Sequence, residues 1–266
     1  MSETGLRPIE EPARSLPIRT EADIAVVGGG PAGIMAALAA AKSAASPKVV
    51  LLEKRSFVGG NLTIGLPILG FLSQKGEQIV TGLPQRFIDR LAAVGAAGKH
   101  QPCPLHVSIT LVDPDVVKVV ALQMLSESAV EILLDTSCVG VVKNADRLQG
   151  IITESKSGRE GIAAKVFVDC TGDGDVAFRA GVPCEKGGSL GGLQPPTLMF
   201  CMAGVDTDKL RHSISSDHES YDVDHIPPDY FARNRRFIVV GLRKLIAKAR
   251  ASGLKIPTDR TILITG

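Results

Sequence analysis

The chain has 266 residues, which is enough for one large domain or two modest ones with a sizeable buried core. A hydrophobic fraction of 44%, a charged fraction of 22% and a formal net charge of +2 are typical of a globular protein and do not indicate a nucleic acid or an anionic membrane as partner. The five cysteines form no CxxC pair and no run of about 18 apolar residues occurs, so the sequence predicts no metal site and no membrane-spanning helix, and a cytoplasmic location is expected.

The first predicted elements alternate between strand and helix. Residues 1–20 are interpreted as a flexible leader, and the apolar run from Ile24 to Val27 as the first strand. Three glycines end that strand, and Pro31 suits the first turn of a helix that we expect to reach about Ser43. Lys48–Glu53 is almost wholly apolar, which is typical of a buried parallel strand.

Loop and helix are predicted between residues 54 and 128. Residues 54–80 are rich in glycine and are expected to form a loop laid over a ligand. Leu83–Val94 is predicted to be helical, and Lys99–Thr110 irregular or extended. Asp113 is expected to cap a further helix, which ends near Ser128, because its carboxylate can accept hydrogen bonds from N–H groups of the first turn. The apolar positions of that helix share one face: Val117, Val120, Ala121, Met124 and Leu125.

Short strands are predicted from residue 130 onward. Val130–Asp135 is one strand, and turn residues divide the sequence that follows into a β-meander. Its predicted strands are Cys138–Lys143, Gly150–Glu154 and Gly161–Ala164. Val166–Asp169 is predicted as a separate apolar strand that runs into a glycine turn.

The C-terminal part of the sequence is more polar. Thr197–Met202 is predicted as a strand. Residues 206–228 are polar and contain three histidines, whose spacing fits no common metal site; this stretch is therefore interpreted as a solvated loop and not as a metal site. Asp229–Ala251 is interpreted as a basic, half-buried amphipathic helix, with an anionic partner for its basic face as the alternative. A further strand is expected to begin at Ile262. The histidines of the polar stretch are His212, His218 and His225.

The segment Gly28-Gly29-Gly30-Pro31-Ala32-Gly33 has the G-x-G-x-x-G spacing of a dinucleotide-binding loop. Gly28 permits the tight turn after the strand, Gly30 lets the backbone approach a pyrophosphate, and Gly33 lets the helix pack on the sheet. Glu53 follows Gly33 by twenty residues, at the end of the next strand, where a carboxylate accepts hydrogen bonds from ribose hydroxyls and repels a 2′-phosphate. The pattern predicts a dinucleotide site and argues against NADP.

Further motifs resemble those of the FAD-dependent oxidoreductase family, flavoproteins of the glutathione-reductase structural class with two dinucleotide-binding domains. The similarity extends over about residues 22–266, and Cys170 stands where the family usually has alanine. Beyond the glycine loop and Glu53-Lys54-Arg55, the motifs are Gly59-Gly60-Asn61-Leu62-Thr63, Asp113-Pro114-Asp115-Val116-Val117-Lys118, Thr171-Gly172-Asp173-Gly174-Asp175 and Ala180-Gly181-Val182-Pro183.

The resemblance implies an α/β fold with FAD as cofactor. It implies a Rossmann-like FAD-binding domain over residues 21–195, a parallel sheet with a β-meander crossover and an insert at about 61–112, followed by a partial substrate domain over 196–266. The implied FAD-binding residues are Gly28, Gly30, Pro31, Ala32 and Gly33 at the pyrophosphate, Glu53 at the adenosine ribose, Lys54, Arg55 and Val139 near the adenine, Gly60, Asn61 and Thr63 on the flavin side, and Thr171, Gly172 and Asp173 over the middle of the cofactor.

The implied function is hydride or electron transfer between bound flavin and an unidentified small organic substrate. The flavin supplies that chemistry itself, so no catalytic residue is assigned, although His106 is a candidate for contact with substrate. One alternative is an FAD-binding fragment or subunit without activity of its own, whose flavin site is completed by a partner chain or a second copy. Another is an NAD-dependent Rossmann dehydrogenase, against which the Gly59-Gly60 and Thr171-Gly172-Asp173 segments argue.

Overall fold

The computed structural model describes residues 10–43, 46–103, 105–188, 191–194, 196–224, 226–227, 229–234 and 237–265. In chain order its strands are β1 (Ile18–Val27), β2 (Val49–Leu52), β3 (Ile68–Leu69), β4 (Gln101–Cys103), β5 (Val107–Thr110), β6 (Glu131–Leu133), β7 (Ser137–Asn144), β8 (Arg147–Ser155), β9 (Gly158–Asp169), β10 (Ile238–Gly241) and β11 (Thr261–Ile264). Its helices are α1 (Pro31–Ala41), α2 (Leu83–Ala93), α3 (Pro114–Glu127), α4 (Asp175–Arg179), α5 (Thr207–Ser216), α6 (Tyr230–Arg233) and α7 (Arg243–Ala251).

A six-stranded sheet in the order β6-β2-β1-β9-β8-β7 forms the centre of the fold. Its first four strands are parallel, and β7, β8 and β9 pair antiparallel as a meander. Val27, the last residue of β1, lies beside both Leu52 and Asp169 in the register. The carboxyl ends of three parallel strands therefore meet at one edge of the sheet, which is where ligands bind in open α/β sheets.

Alternating side chains of β1 enter two separate hydrophobic clusters. Val26 points into the larger cluster, which includes residues of α1, α2 and α3, whereas Ala25 and Val27 point into a smaller cluster with Ile151 and Ile162 of the meander. This alternation follows from the two-residue period of a strand. All four residues of β2 are buried, as their apolar run predicts for a parallel strand covered on both faces. The mixed α/β sheet with its meander confirms the predicted fold class.

The Asp113 cap and the buried face of its helix are as predicted. One carboxylate oxygen of Asp113 accepts hydrogen bonds from the N–H groups of Asp115 and Val116, at 2.9 and 3.1 Å. The helix packs against α1, α2 and the turn at Gly60–Thr63. Its buried residues are Val117, Val120, Ala121, Met124 and Leu125.

Two strand predictions in the main sheet are corrected by the pairing pattern. The first strand begins at Ile18, inside the predicted leader, because Ile18 and Thr20 pair with β9; residues 1–9 lie outside the described part of the chain. The predicted strands Gly161–Ala164 and Val166–Asp169 are a single strand, β9. It stays in register with β1 through Asp169 while its pairing with β8 ends at Ala163, and so the change of partner requires no turn.

Lys99–Thr110, predicted as irregular or extended, contains the extended segments β4 and β5, which form a three-stranded antiparallel sheet with β3. The strand predicted further along the chain is corrected. Thr197–Met202 is not a strand: within the described residues it pairs with no other strand, and Leu198, Phe200 and Met202 are 91%, 77% and 72% exposed. A short apolar run makes a strand only where an edge is available to pair with it.

The polar stretch 206–228 is not a loop throughout, because it contains α5. The Asp206 carboxylate caps this helix by accepting hydrogen bonds from the N–H groups of Asp208 and Lys209, at 3.1 and 3.0 Å. His212 lies on the helix and His218 just after it, while His225 lies outside the described residues. Asp is among the preferred capping residues, so Asp206 was the available signal for this helix.

The predicted helix Asp229–Ala251 is three elements. Ile238–Gly241 instead pairs antiparallel with Thr261–Ile264, the strand that was predicted to begin at Ile262. Phe237 and Val239 are buried, and Leu242 has a φ of 65°, which separates this strand from α7. Burial and pairing outweigh helix propensity here.

The basic face of this region carries cations that already have acidic partners. Arg243 forms an ion pair with Asp222, and Lys244 with both Asp217 and Glu219. Arg235 and Arg236, which belong to the same predicted basic segment, lie outside the described residues. These intramolecular pairs disfavour an anionic partner at Arg243 and Lys244.

Candidate functional site

The glycine loop Gly28–Gly33 follows β1, and another glycine turn, Thr171–Asp175, follows the neighbouring strand β9. Cys170 N donates to Val27 O at 2.8 Å and so joins the ends of these two strands, while Gly28 N donates to Leu52 O of β2 at 2.8 Å. Gly28 has a φ of 101°, and a Cβ at this position would lie 2.5 Å from Cys170 O. Glycine is therefore required at residue 28 both by its backbone angle and by the space that is left.

The start of α1 presents an open position beside this turn. A Cβ on Gly33 would overlap Gly28 O, whereas a Cβ on Gly30 would have no atom of the described residues within 4 Å apart from its chain neighbours. Ile34 N donates to Gly30 O at 2.9 Å, so the N–H groups of Ala32 and Gly33 precede the first hydrogen bond of the helix. Pro31 and Ala32 are exposed. The helix start can bind an anion through these N–H groups and its dipole.

Glu53 lies next to this helix start and is 8% exposed. Its Oε2 accepts a hydrogen bond from Gly29 N at 2.7 Å, and its Oε1 accepts one from Arg55 N at 2.9 Å. An ionised carboxylate has about four acceptor positions, so each oxygen keeps capacity for a further donor. The side chain of Glu53 is thus held in place with part of its hydrogen-bonding capacity unused.

The segment after β6 lies against the chain that follows Glu53. Thr136 N donates to Glu53 O at 3.0 Å, and Asp135 N donates to Arg55 O at 3.1 Å. Lys54 and Arg55 are exposed. Val139 follows three residues after Thr136, at a bulge where the register of β7 with β8 shifts between residues 138 and 140. A bulged residue leaves backbone groups outside the ladder, as the predicted adenine contact requires.

The Gly60 segment touches the glycine loop directly. Gly59 N donates to Gly29 O at 2.8 Å. Gly60 has a φ of 50°, and a Cβ on it would lie 2.9 Å from Gly30 Cα. In the turn that follows, Asn61 is exposed and the Thr63 hydroxyl donates to Gly60 O at 2.7 Å. Asn61 is therefore presented on the surface beside the helix start.

Asp169 organises the third glycine turn. One of its carboxylate oxygens accepts from Thr171 N at 3.0 Å and from Thr171 Oγ1 at 2.6 Å, and the other accepts from Val176 N at 3.0 Å and Ala177 N at 2.9 Å. Burial by itself would raise the pKa of Asp169, but the hydrogen bonds from Thr171, Ala177 and Val176 bring it below its ordinary value of 3.8.

Asp169 is not among the predicted site residues, although an acid at the end of a strand shortly before a helix is a signal for this role. The Thr171 hydroxyl is also used internally, because it accepts a hydrogen bond from Asp175 N at 2.7 Å. Gly172 and Asp173 are exposed, and a Cβ on Gly172 would meet no described atom within 4 Å apart from its chain neighbours. The turn is rigid at its base and open at its tip.

Histidines of the insert lie outside these three turns. His106, the candidate for substrate contact, has its Nδ1 3.9 Å from Cys103 Sγ. His100 was not singled out from the sequence, yet both of its ring nitrogens have partners: Nδ1 lies 2.6 Å from Thr110 Oγ1 and Nε2 lies 2.8 Å from Gln85 Oε1. Burial lowers the pKa of His100. Neither histidine is brought next to the Gly30 position by a described hydrogen bond.

Among the described helices, none is both long enough and apolar enough to cross a membrane. Across the part of the chain that the structure describes, no three side chains of His, Cys, Asp or Glu are grouped as metal ligands.

Comparison with known proteins identifies a family that the chain matches. Residues 23–253 match the family described as FAD dependent oxidoreductase. No curated protein matches the sequence.

Several solved structures are similar to part of the chain. Thermovibrio ammonificans THI4 has 19% sequence identity over 60% of this chain and 61% of that chain, with a TM-score of 0.43. The 3-ketosteroid-Δ4-(5α)-dehydrogenase from Rhodococcus jostii RHA1 has 16% identity over 57% and 46% of the two chains, with a TM-score of 0.41. L-Proline dehydrogenase from P. horikoshii has 23% identity over 60% and 24%, with a TM-score of 0.36. The match thus spans less than two thirds of the length of each of these three structures.

The family match includes all three turns described above and extends from β1 to just beyond α7. It covers well over half of the chain. The chain therefore belongs to the family of FAD-dependent oxidoreductases, and FAD is its cofactor.

Proposed function

We propose that this chain forms the FAD-binding part of an oxidoreductase that transfers hydride or electrons between the flavin and a small organic substrate. The observation that carries the proposal is the meeting of three glycine turns at the loop Gly28–Gly33: the Gly60 turn lies against Gly30, the turn after β9 lies against Gly28 through Cys170, and the Cβ position of Gly30 is open. FAD, when bound, supplies the redox chemistry, and the residues of the chain hold and orient it. The residues present fit such a group, because Gly30 leaves space where a side chain would otherwise stand.

The pyrophosphate is assigned to the start of α1. There the N–H groups of Ala32 and Gly33 and the positive end of the helix dipole favour a group with two negative charges. Gly28 shapes the turn, and Pro31 contributes no N–H and begins the helix. The open position at Gly30 supports this assignment, since the backbone can approach the phosphates closely.

The adenosine end is assigned to the edge formed by Glu53 and the chain after β6. The unused acceptor capacity of Glu53 supports a role in binding the ribose hydroxyls. Lys54 and Arg55 are exposed beside it, and the bulge at Val139 supplies backbone groups for the adenine.

The flavin end and the middle of FAD are assigned to the other two turns. Gly60, Asn61 and Thr63 would lie on the flavin side, where Gly60 contacts the phosphate loop. Gly172 and Asp173 would cover the middle of the cofactor, because they form the exposed tip of the turn based on Asp169 and Thr171.

The wider organisation is also proposed. Residues 21–195 would be the FAD-binding domain, with an insert at about 61–112, and 196–266 part of a substrate domain. The thiols of all five cysteines are free, which supports a reducing compartment such as the cytoplasm.

A second candidate is a binding subunit that is active only with a partner chain or a second copy. The exposure of Asn61, Gly172 and Asp173 favours it, because these residues would otherwise leave FAD partly open to solvent. Reduction of bound FAD by a panel of organic substrates under anaerobic conditions separates the two candidates. Bleaching of the flavin absorbance by the purified chain supports an active enzyme, whereas tight binding without bleaching supports a subunit.

The binding proposal is tested by substituting Gly30. Gly30→Ala adds a Cβ at a φ of −73°, which any residue adopts, and this Cβ meets only open space. The matched control is Gly98→Ala, whose Cβ would lie 3.8 Å from Leu111 O, an ordinary contact remote from the site. Both variants should therefore fold like the wild type.

We expect Gly30→Ala to weaken FAD binding at least tenfold, because one methyl group placed against the phosphates costs about 1.4 kcal/mol or more. Gly98→Ala should bind like the wild type. Binding is measured from the change in flavin fluorescence on titration of the apoprotein. A wild type that takes up no FAD would refute the proposal, and equal affinity in all three proteins would refute the assigned phosphate position.

A further inference from the structure

Lys118 lies in the second turn of α3 and faces the segment that follows β2. Its Nζ lies 4.7 Å from the centroid of the Phe57 ring and 2.7 Å from Asp115 Oδ1. The Lys118 side chain is 28% exposed, whereas that of Asp115 is 85% exposed. A cation over an aromatic ring is stabilised more strongly where it is partly removed from water. Of the two contacts that Lys118 makes, the one with the Phe57 ring is therefore less exposed to water than the one with Asp115.

The preceding residue, Val117, continues the contact between α3 and this segment. It is fully buried, and its Cγ1 would lie 3.3 Å from a Cβ on Gly59. Gly59 N donates to Gly29 O, and a Cβ on Gly60 would lie 2.9 Å from Gly30 Cα. Three segments thus lie one against the next in this order: helix α3, the Phe57–Thr63 segment and the glycine loop Gly28–Gly33, which is the proposed phosphate loop.

The middle layer has little rigidity of its own. Gly59 and Gly60 have φ values of 122° and 50°, and glycines in such conformations lose much backbone freedom when the chain is ordered. The turn that follows, Gly60–Thr63, is a short 3-10 helix with poorer hydrogen-bond geometry than an α-helix. The buried Val58 anchors the entry of the segment, and its neighbour Phe57 carries the contact with Lys118.

We propose that Lys118 is a positioning residue of the FAD site, which holds the Phe57–Thr63 segment against the phosphate loop through the Phe57 ring. The inference rests on the proposed function, because this segment is the one assigned to the flavin side of FAD. Lys118 acts through Phe57 and is not assigned a contact with the cofactor. This role of Lys118 explains both ends of the motif Asp113–Lys118, because Asp113 caps the helix and Lys118 supports the Phe57–Thr63 segment.

The test compares four substitutions in the full chain. Lys118→Met keeps most of the side-chain length and removes the charge, Lys118→Arg keeps the charge, and Phe57→Leu removes the ring. Lys165→Met is the control, because it removes a comparable surface pair, with Asp23, from β9. For each protein, the FAD dissociation constant, the visible circular dichroism of bound flavin and the melting temperature of the apoprotein are measured.

We expect Lys118→Met to raise the dissociation constant about three- to tenfold and to change the flavin circular dichroism. Lys118→Arg should retain the dissociation constant and the flavin circular dichroism of the wild type, and so should Lys165→Met. Phe57→Leu should reproduce the effect, and the Lys118→Met, Phe57→Leu double variant should bind no more weakly than the weaker single variant, since the two residues act through one contact.

Three results would overturn the inference. They are a Lys118→Met protein that binds FAD like Lys165→Met, effects that add fully in the double variant, and a lower apoprotein melting temperature with unchanged affinity, which would show a structural role only. If the wild type takes up no FAD, the proposed function fails together with the inference. If it binds FAD and Lys118→Met is without effect, the inference alone fails.

Discussion

Replacement of Asp169 by Asn tests whether one carboxylate organises the third glycine turn. The substitution keeps the size of the side chain but exchanges one acceptor oxygen for an NH₂ group. In the native turn each oxygen accepts two hydrogen bonds, from Thr171 on one side and from Val176 and Ala177 on the other. In the variant, two N–H or O–H donors would therefore face a donor group or lose their partner.

Hydrogen bonds to a charged group contribute about 1.5–3 kcal/mol each in favourable cases, and solvent access reduces that value. Because Asp169 is only partly buried, we expect Asp169→Asn to lower the free energy of unfolding by about 2–3 kcal/mol at pH 7. The variant should also bind FAD more weakly, since Gly172 and Asp173 lose the base of their turn.

The pH dependence follows from the lowered pKa of Asp169 in the folded protein. A carboxylate whose folded pKa lies below its unfolded value adds stability at pH values above the unfolded pKa, and that stability is lost as the pH falls through the folded pKa. The difference between wild type and Asp169→Asn should therefore stay constant from pH 8 to about 5 and shrink below the ordinary value of 3.8.

Urea unfolding of the apoproteins, followed by far-ultraviolet circular dichroism between pH 3 and 8, measures this difference. Asp146→Asn, at the exposed turn between β7 and β8, is the matched control and should unfold like the wild type. An Asp169→Asn protein as stable as this control at pH 7 would refute the role of the carboxylate. A stability difference that persists unchanged at pH 3 would refute its assignment to the ionised form.

Three further predictions concern the glycine loop, its acid and α3. Gly33→Ala should lower the free energy of unfolding by about 2–4 kcal/mol in urea titrations, because the new Cβ would overlap Gly28 O and force α1 away from the sheet. Asp113→Ala should cost about 1 kcal/mol in the same assay through loss of the helix cap, whereas Asp115→Ala, which leaves the cap in place, should cost less. Glu53→Gln should cost about 1–3 kcal/mol and weaken FAD binding in fluorescence titrations, because one amide oxygen cannot replace both carboxylate oxygens; unchanged stability and affinity would contradict both of its assigned roles.

Much of the nucleotide-binding half could be predicted from local patterns. The apolar run at β2 identifies a strand covered on both faces, and Asp113-Pro114 identifies the start of a helix whose five predicted core residues are all buried. The Gly28–Gly33 spacing and Glu53 predicted a dinucleotide site, and the family comparison confirms FAD. These features are readable because each depends on residues close together in the chain.

The errors occurred where distant segments decide the structure. Gly161–Ala164 and Val166–Asp169 form one strand because β1, more than 130 residues earlier in the chain, pairs along both. Ile238–Gly241 is a strand because β11 pairs with it, and Thr197–Met202 lacks such a partner among the described residues despite its apolar run. Strand formation depends on a neighbouring edge, and the identity of that neighbour is not encoded locally.

The glycine loop and the acid that follows it could be recognised in the sequence itself, since the spacing of Gly28, Gly30, Gly33 and Glu53 reflects the dimensions of one βαβ unit. That spacing predicts a dinucleotide, and the family resemblance of the further motifs narrows the prediction to FAD. Only the tertiary structure decided how the other turns support that loop. Asp169 binds four donors from two sides, and Lys118 reaches Phe57 across more than sixty residues of chain. Such contacts depend on how the strands and α3 pack in three dimensions, because hydrogen bonds and ring contacts form between neighbours in space.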